Sequence, residues 1–448
     1  MRTALALAAL LLIGALTLTV SGTLDAQRHI VNVRPGSFDE VIAETRDELF
    51  SRGLQIFRFD TFGDERFWSD TLKLHHAIAG VRSGGVGAGI GPATALAVGL
   101  KVDADMVPPQ ILAGIRSGAV DLNDPANTQA LIAAKAVVGV MPTGGGSGEA
   151  LRVGFTCALC HSTVDDSVAP GIGSRLDGWP NRDLNVGAIV SLAPDLSAVA
   201  QLLQVDQEMV RTVMRSWGPG KFDALLFLDG KAFRPDGKTA ATLLPPAYGL
   251  AGVNLHTYTG FGGVPYWNAF VGNLEMHGAG VFFDPRLNDP NKYPVAARAG
   301  FGNVRPPAGG DDGITSRLAA LHYYQLSIPA PTPPSGSYSE RAAEQGQALF
   351  HGRARCASCH VPPLFTEPGW AMHTGAEIGI DDFQANRSPD NRYRTTPLKG
   401  AWSRAKGGYY HDGRFPTLLA VVQHYNRVFD LRLSDTEMQD LVEYLKSL

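Results

Sequence analysis

Read for the period of its apolar positions, the chain is a series of short helical stretches separated by long glycine- and proline-rich runs. Phe38, Val41, Ile42 and Leu49, with Thr45 between them, share one face of a 3.6-residue period, and Ser37 with Glu40 makes a capping box, so a helix is predicted over 38–50. Trp68 to Ile78 predicts a second helix, and Asn127 or Thr128 can cap a third that runs to Val140. A short helix is expected over 149–156. From Pro194 to Ser216 apolar residues at 196, 199, 202, 203, 210, 213 and 214 predict one bent helix or two short ones, with Pro194 suited to the first helical position. Ser339 to Phe350 is a further helix. Thr417 to Arg427 carries the stripe Leu418, Val421, Val422 and Tyr425, with His424 at its edge. Ser434 and Glu437 form a second capping box, before the packed stripe Leu441, Tyr444, Leu445 and Leu448.

The breaks in this pattern suggest the organisation. Arg2, an apolar run from Ala4 to Val20 and small residues to Ala26 read as a cleaved signal peptide over 1–26, which places the protein in the periplasm. No later apolar stretch is long enough to cross a membrane. Residues 27–148 read as a helical extension without a chemical motif. Its glycine-rich run 84–99 lacks the P-loop and dinucleotide patterns, and Asp103 and Asp105 lack the rest of a calcium loop. His75 and His76 read as packing residues. A first domain is expected over 149–327, a proline-rich linker over 328–338 with four prolines between Ile328 and Ser335, and a second domain over 339–448. The net charge of −4 gives no general attraction to nucleic acid or anionic membrane. The 51 glycines and 29 prolines suit short helices joined by loops around a large cofactor.

The chemistry lies in the cysteines. All four fall in two C-x-x-C-H runs, Cys157-Ala158-Leu159-Cys160-His161 and Cys356-Ala357-Ser358-Cys359-His360. Two thiols three residues apart can each form a thioether to a haem vinyl group, and the adjacent imidazole then binds the iron. Two copies with no cysteine left over point to two covalent haem c groups, with His161 and His360 as proximal ligands, and leave no disulfide framework. The segment Pro245-Pro246…Gly249…Tyr266-Trp267-Asn268 is faintly echoed by Pro397…Gly400…Tyr409-Tyr410-His411, a hint of two related haem domains. On spacing alone Tyr425 either packs or binds iron. Glu275 could be a surface glutamate or an acid–base group, and Met276 could be a thioether ligand.

Helix, C-x-x-C-H, long loop and closing helix resemble the cytochrome c fold. The fold class expected is mainly α, with two cytochrome c-like haem domains behind an N-terminal helical extension. Residues 339–448 resemble more specifically the second haem domain of the bacterial diheme cytochrome c peroxidase and MauG superfamily. The residues that carry this are Cys356 to His360, Thr396-Pro397-Leu398, Tyr409-Tyr410-His411-Asp412-Gly413 and Asp440-Leu441-Val442-Glu443-Tyr444-Leu445. The resemblance implies Tyr425 as the second axial ligand opposite His360, in an electron-transferring haem. It implies Trp267 between the haems, although Tyr266-Trp267-Asn268-Ala269 lacks the family's Asp-Gly, and Glu275-Met276 as the family's Glu-Met element, with Glu275 in the pocket of the reactive haem. The stretch from His161 to Trp267 is longer than the family's, and the early distal-histidine loop has no counterpart.

The resemblance also implies a calcium ion held by backbone carbonyls near Lys406 and Gly408. The function expected is peroxide reduction, or a peroxide-driven oxidation, at the first haem. Electrons would be relayed by Trp267 through the second haem from a small soluble cytochrome c or cupredoxin. Two rivals stand beside it. One is a plain electron carrier with both haems closed by ligands drawn from Met276, His277, Met372, His373 and His424. The other is an oxidase of a larger organic or protein substrate that docks on residues 28–148.

Overall fold

The computed structural model describes residues 35–144, 150–306 and 310–448; the signal peptide expected over 1–26 lies outside them. Residues up to Asp47 form one unit and Glu48–Leu448 a second. In the first, Glu40 N–H meets Ser37 Oγ at 3.3 Å, but the Glu40 carboxylate turns to the Gly36 N–H, so the expected box is only half made. Phe38, Val41 and Ile42 are exposed there.

The helices that position the site are α1 (Phe38–Phe59), α2 (Pro125–Ala133), α3 (Val186–Val190), α4 (Gln207–Trp217), α5 (Val264–Phe270), α6 (Thr315–Ser327), α7 (Glu340–His351), α8 (Leu418–Val428) and α9 (Asp435–Ser447). Strands among the described residues occur only as two-stranded pairs. No described helix is long and apolar enough to cross a membrane.

Caps account for most boundaries that the sequence predicted well. Ser339 Oγ accepts from Ala342 N–H, Thr417 Oγ1 from Ala420 N–H, and Ser434 with Glu437 makes a complete capping box. Elsewhere tertiary structure overrode pattern. The helix expected over 149–156 is instead the strand β2 (Val153–Phe155), antiparallel to β1 (Val140–Pro142). The helix expected to reach Val140 is α2, capped by Asp124 and ending at Ala133. Trp68–Ile78 is a π-turn, Arg66–Thr71, followed by a separate helix, Leu74–Ala79. Residues 194–216 form two helices, Ser197–Leu203 and α4, and Pro194 stands before the first of them.

Two helix crossings repeat. In α1, a Cβ on Gly53 would run into the Ala320 carbonyl and lie 2.6 Å from Tyr324 Cβ of α6; in α7, a Cβ on Gly346 would run into the Asp440 carbonyl and lie 2.9 Å from Tyr444 Cβ of α9. One turn on, Phe57 packs against Tyr324 at 5.5 Å and Phe350 against Tyr444 at 5.2 Å between ring centroids. The end of each closing helix is tied to a left-handed glycine: Gly249 N–H bonds Ile328 O at 2.8 Å, and Gly400 N–H bonds Leu448 O at 3.0 Å. The two halves thus share one scaffold, and α1 from the supposed extension is the opening helix of the first. Six residues separate Phe350 from Cys356, whereas a hundred separate Phe57 from Cys157. The intervening segment packs its Leu74, Val102 and Leu131 into one core with Val153, Val190, Met214 and Trp217.

The halves are fastened to each other. Trp179 meets Trp402 edge-on at 5.6 Å, and Tyr248 Oη lies 2.8 Å from both the Gly400 carbonyl and Ser403 Oγ. Arg387, 1% exposed, pairs with Asp229 (Nε to Oδ2, 2.8 Å) and Asp223 (Nη2 to Oδ1, 3.0 Å).

Candidate haem centres

Both C-x-x-C-H runs line one cavity of about 1460 Å³, well above the ~300–1,000 Å³ of an ordinary small-molecule pocket. The donor set fits haem c. None of the four cysteines is in a disulfide. Burial pushes the thiols of Cys157 and Cys160 up to about 12 and that of Cys356 up to about 11, so they are uncharged. Burial likewise pushes His161 and His360 down to about 4, which leaves neutral imidazoles with a free lone pair. His360 Nδ1 faces the Phe365 carbonyl at 3.1 Å and donates to it, so Nε2 is the nitrogen left for a metal. His161 Nδ1 is buried without a partner at hydrogen-bond geometry, while the Pro245 carbonyl opposes its shift. The Thr396 carbonyl acts in the same sense on His360, so the echoed proline segments stand beside the two imidazoles in turn.

Around the first motif two π-turns supply the wall. Arg66–Thr71 brings in Phe67 and Trp68. The second, Val271–Glu275, continues α5 and sets Glu275 on the cavity. A π-turn widens the helix and redirects the side chains that follow it. Glu275 has no protein hydrogen-bond partner among the described residues; burial, with the Asp223 carboxylate adding to it, pushes its carboxyl up to about 8. Its charge is felt at Cys160, which places it beside the first motif. Trp267, on α5, lines the cavity with its indole N–H buried and unpartnered, edge-on to Phe270 at 5.1 Å. Met276 lines the cavity too and is buried among Phe57, Phe62 and Ile314. His277 follows in a left-handed conformation, φ 62°, stacked on Phe67 at 3.6 Å, with no hydrogen bond to protein; burial pushes it down to about 4.

Around the second motif, α8 presents Tyr425 to the cavity, stacked on Phe429 at 5.5 Å. Burial pushes its phenol up, while the Tyr410 hydroxyl opposes the shift. His411 is buried against Tyr393 in a stack of 5.3 Å, with Nε2 unpartnered. The remaining rival ligands are engaged elsewhere. His424 is buried and bonded through Nε2 to the Ile378 carbonyl at 2.8 Å. His373 Nε2 bonds Glu367 at 2.7 Å, and Met372 lies in a strand against Gly260. Cys359, Glu367 and His373 are the one grouping of possible metal donors among the described residues, and Cys359 already belongs to the haem motif.

The structure therefore brings together Cys157, Cys160, His161, Trp267, Glu275 and Met276 on one side, and Cys356, Cys359, His360 and Tyr425 on the other. The Lys406 carbonyl, expected beside calcium, faces the Arg182 guanidinium at 3.5 Å. Two groups escaped the sequence reading. One is the wall formed by Phe62, Phe67 and Trp68 from the supposed extension. The other is three cavity arginines, Arg182, Arg394 and Arg404. Arg394 lies inside the run already singled out, but that it lacks a carboxylate shows only in three dimensions.

No family model matches the chain. It is 27% identical to the methylamine utilization protein MauG of Methylorubrum extorquens over 272 residues, 50% of this chain and 76% of MauG. Among solved structures it aligns with Kuenenia stuttgartiensis hydrazine synthase at 20% identity and a TM-score of 0.28, covering 49% of this chain and 76% of that one. It also aligns with a MauG-like protein associated with microbial copper homeostasis at 17% identity and a TM-score of 0.31, covering 50% and 80%.

Proposed function

We propose that the chain, which is 27% identical to MauG over half of its length, is a periplasmic diheme c-type oxidoreductase that reacts with peroxide at its first haem. Haem would be held by Cys157, Cys160 and His161, and by Cys356, Cys359, His360 and Tyr425. Bound haem supplies the iron that takes up peroxide and passes electrons. The observation that carries the reading is Glu275, a carboxyl without a protein partner among the described residues, on the cavity wall near the first motif and close to neutrality in its proton affinity.

The balance is H₂O₂ with two electrons and two protons giving two waters. Glu275 would take a proton from one peroxide oxygen and return it to the other, and a carboxyl near 8 can do both at neutral pH without a large penalty either way. Trp267 bridges α5 to the cavity as the electron relay. Phe67 and Trp68, packed about His277, wall off the cavity near the first motif. A small cytochrome c or cupredoxin would supply the electrons. The same arrangement equally suits oxidation of a larger organic or protein substrate. The segment assigned to docking such a substrate contributes, through Phe62, Phe67 and Trp68, to the first cavity's wall. A calcium ion at backbone carbonyls near Lys406 and Gly408 would belong to the same reading.

Low-temperature EPR of the ferric protein, joined to peroxide turnover, tests this. One high-spin and one low-spin signal are expected, and Glu275→Gln should lower peroxide turnover by about 10²–10⁴-fold with the spectra intact. Full turnover in that variant removes the role of Glu275. A second reading, the closed electron carrier, is favoured by His277, a neutral buried imidazole free of hydrogen bonds on the same wall. Two low-spin signals, one of them lost in His277→Ala, would establish it.

A further inference from the structure

Three guanidinium groups in the cavity have no anion to meet them. Arg182 and Arg404 are 8% and 7% exposed. Arg182 Nε, Arg394 Nη1 and Arg404 Nε are buried with no hydrogen-bond partner. The contacts that these side chains do make go to backbone carbonyls: Arg394 Nε to Thr257 at 2.7 Å, Arg404 Nη2 to Pro397 at 2.8 Å and Arg182 Nη1 to Lys406 at 3.5 Å. Among the described residues none of the three forms an ion pair with a carboxylate. Asp183, next to Arg182, is occupied by Lys101 and Lys406. Burial pulls Arg394 down to about 10, with repulsion from Arg404 adding to it.

The same fold shows how it treats a buried guanidinium that only protein can satisfy. Arg387 is as deeply buried and meets two aspartates, Asp223 and Asp229. Isolated buried charges are costly enough that a partner is the rule, and guanidinium forks match carboxylates. The missing partners of the three cavity arginines are therefore carboxylates brought in by the ligand. The three also straddle the seam between the halves. Arg182 follows the first motif, where Asn181 N–H bonds Cys160 O at 2.9 Å, yet it touches Lys406 of the second half. Arg394 comes from the second half and is bonded to Thr257 and, through its own N–H, to Tyr258 O at 2.9 Å, both in the first.

We propose that Arg182, Arg394 and Arg404 form a carboxylate-binding seam that takes the haem propionates and ties the two halves together through the cofactors. The proposal rests on the two-haem reading but not on peroxide chemistry, so a closed first haem or an unimpaired Glu275→Gln would leave it standing.

Spectroelectrochemical titration of the holoprotein tests it. A cation beside a haem disfavours the more positive ferric state. Arg394→Gln and Arg404→Gln should each lower the midpoint potential of at least one haem, and the double variant should lower it further. Arg394→Lys and Arg404→Lys, which keep the charge, should fall between. Arg341→Gln, at an exposed site on α7, is the control. Potentials that stay with the control overturn the proposal. So does a wild-type potential that shifts in a saturable way with added acetate, because the seam would then be binding a free carboxylate. Should the glutamine variants not fold, a crystal structure of the wild-type holoprotein decides. Propionate oxygens within hydrogen-bond distance of Arg394 Nη1 and Arg404 Nε support the seam, and propionates directed elsewhere refute it.

Discussion

Single side chains here are shaped by a shortage of water more than by pairing. Asp64 is fully buried, and both its carboxylate oxygens lie 3.1 Å from the Phe155 N–H, pinning the segment that opens the first π-turn to the strand just ahead of Cys157. Burial, with Glu65 and Asp60 adding to it, pushes the carboxyl from 3.8 up to about 9, so it is a neutral acid at pH 7. Its folded value is raised. The stability it contributes is fully present below 3.8 and is lost progressively as pH rises towards 9. Asp64→Asn, neutral at every pH, should therefore cost little at pH 7, and the wild type should gain on it in thermal melts as pH falls from 7 to 4. Asp64→Ala strands the Phe155 N–H and should cost about 1–3 kcal/mol at pH 7. At the second haem, Tyr425→Phe keeps the packing on Phe429 but removes the phenol oxygen. Loss of the wild-type low-spin EPR signal is expected, and its survival would mean that Tyr425 only packs.

Among elements, the repeated crossing is the feature that makes the architecture intelligible. Gly53 and Gly346 are each followed four residues later by phenylalanine, and each faces a tyrosine one turn beyond the carbonyl it touches. That Gly-x-x-x-Phe pair was available in the sequence, but the segment between Phe57 and Cys157 hid the correspondence. The haem motifs, the cap at Ser434 and the helices beginning at Ser339 and Thr417 were legible because they are local: a thiol spacing, a side chain reaching a nearby N–H or a stripe at helical period. The strand Val153–Phe155 was not, since three residues carry no period and its partner is the equally short Val140–Pro142. The position of Glu275 was legible only through resemblance, because a π-turn follows neither the 3.6-residue period nor the family's spacing. Gly346→Ala should overpack the α7–α9 crossing and cost about 1–3 kcal/mol. Denaturant unfolding of the holoprotein checks this, with the second haem's spectrum changing before the first. A variant as stable as the wild type would mean that the helices can part without loss.

Across the whole molecule, the buried ion cluster links stability to the first site. Arg387 lies in the second half of the chain, whereas Asp223 precedes and Asp229 ends the short helix Leu226–Asp229 of the first. Burial pushes Asp223 up to about 6 even with the guanidinium beside it, and its charge is in turn one cause of the raised Glu275. Arg387→Met leaves two carboxylates buried without a cation, and breaking such a cluster from one side costs about 3–5 kcal/mol. The midpoint of urea unfolding should fall accordingly. Adding Asp229→Asn to that variant removes one stranded charge and should recover part of the loss. If the two changes simply add, the three groups are not coupled and the cluster does not fasten the halves. Asp223→Asn separates the two roles, since it removes the negative charge that Glu275 feels. The Glu275 carboxyl should then ionise at lower pH, and the pH profile of peroxide turnover should move to the acid side of the wild-type profile. A profile that stays in place would mean that desolvation alone sets the proton affinity of Glu275, and that the fastening of the halves and the chemistry of the first site are independent.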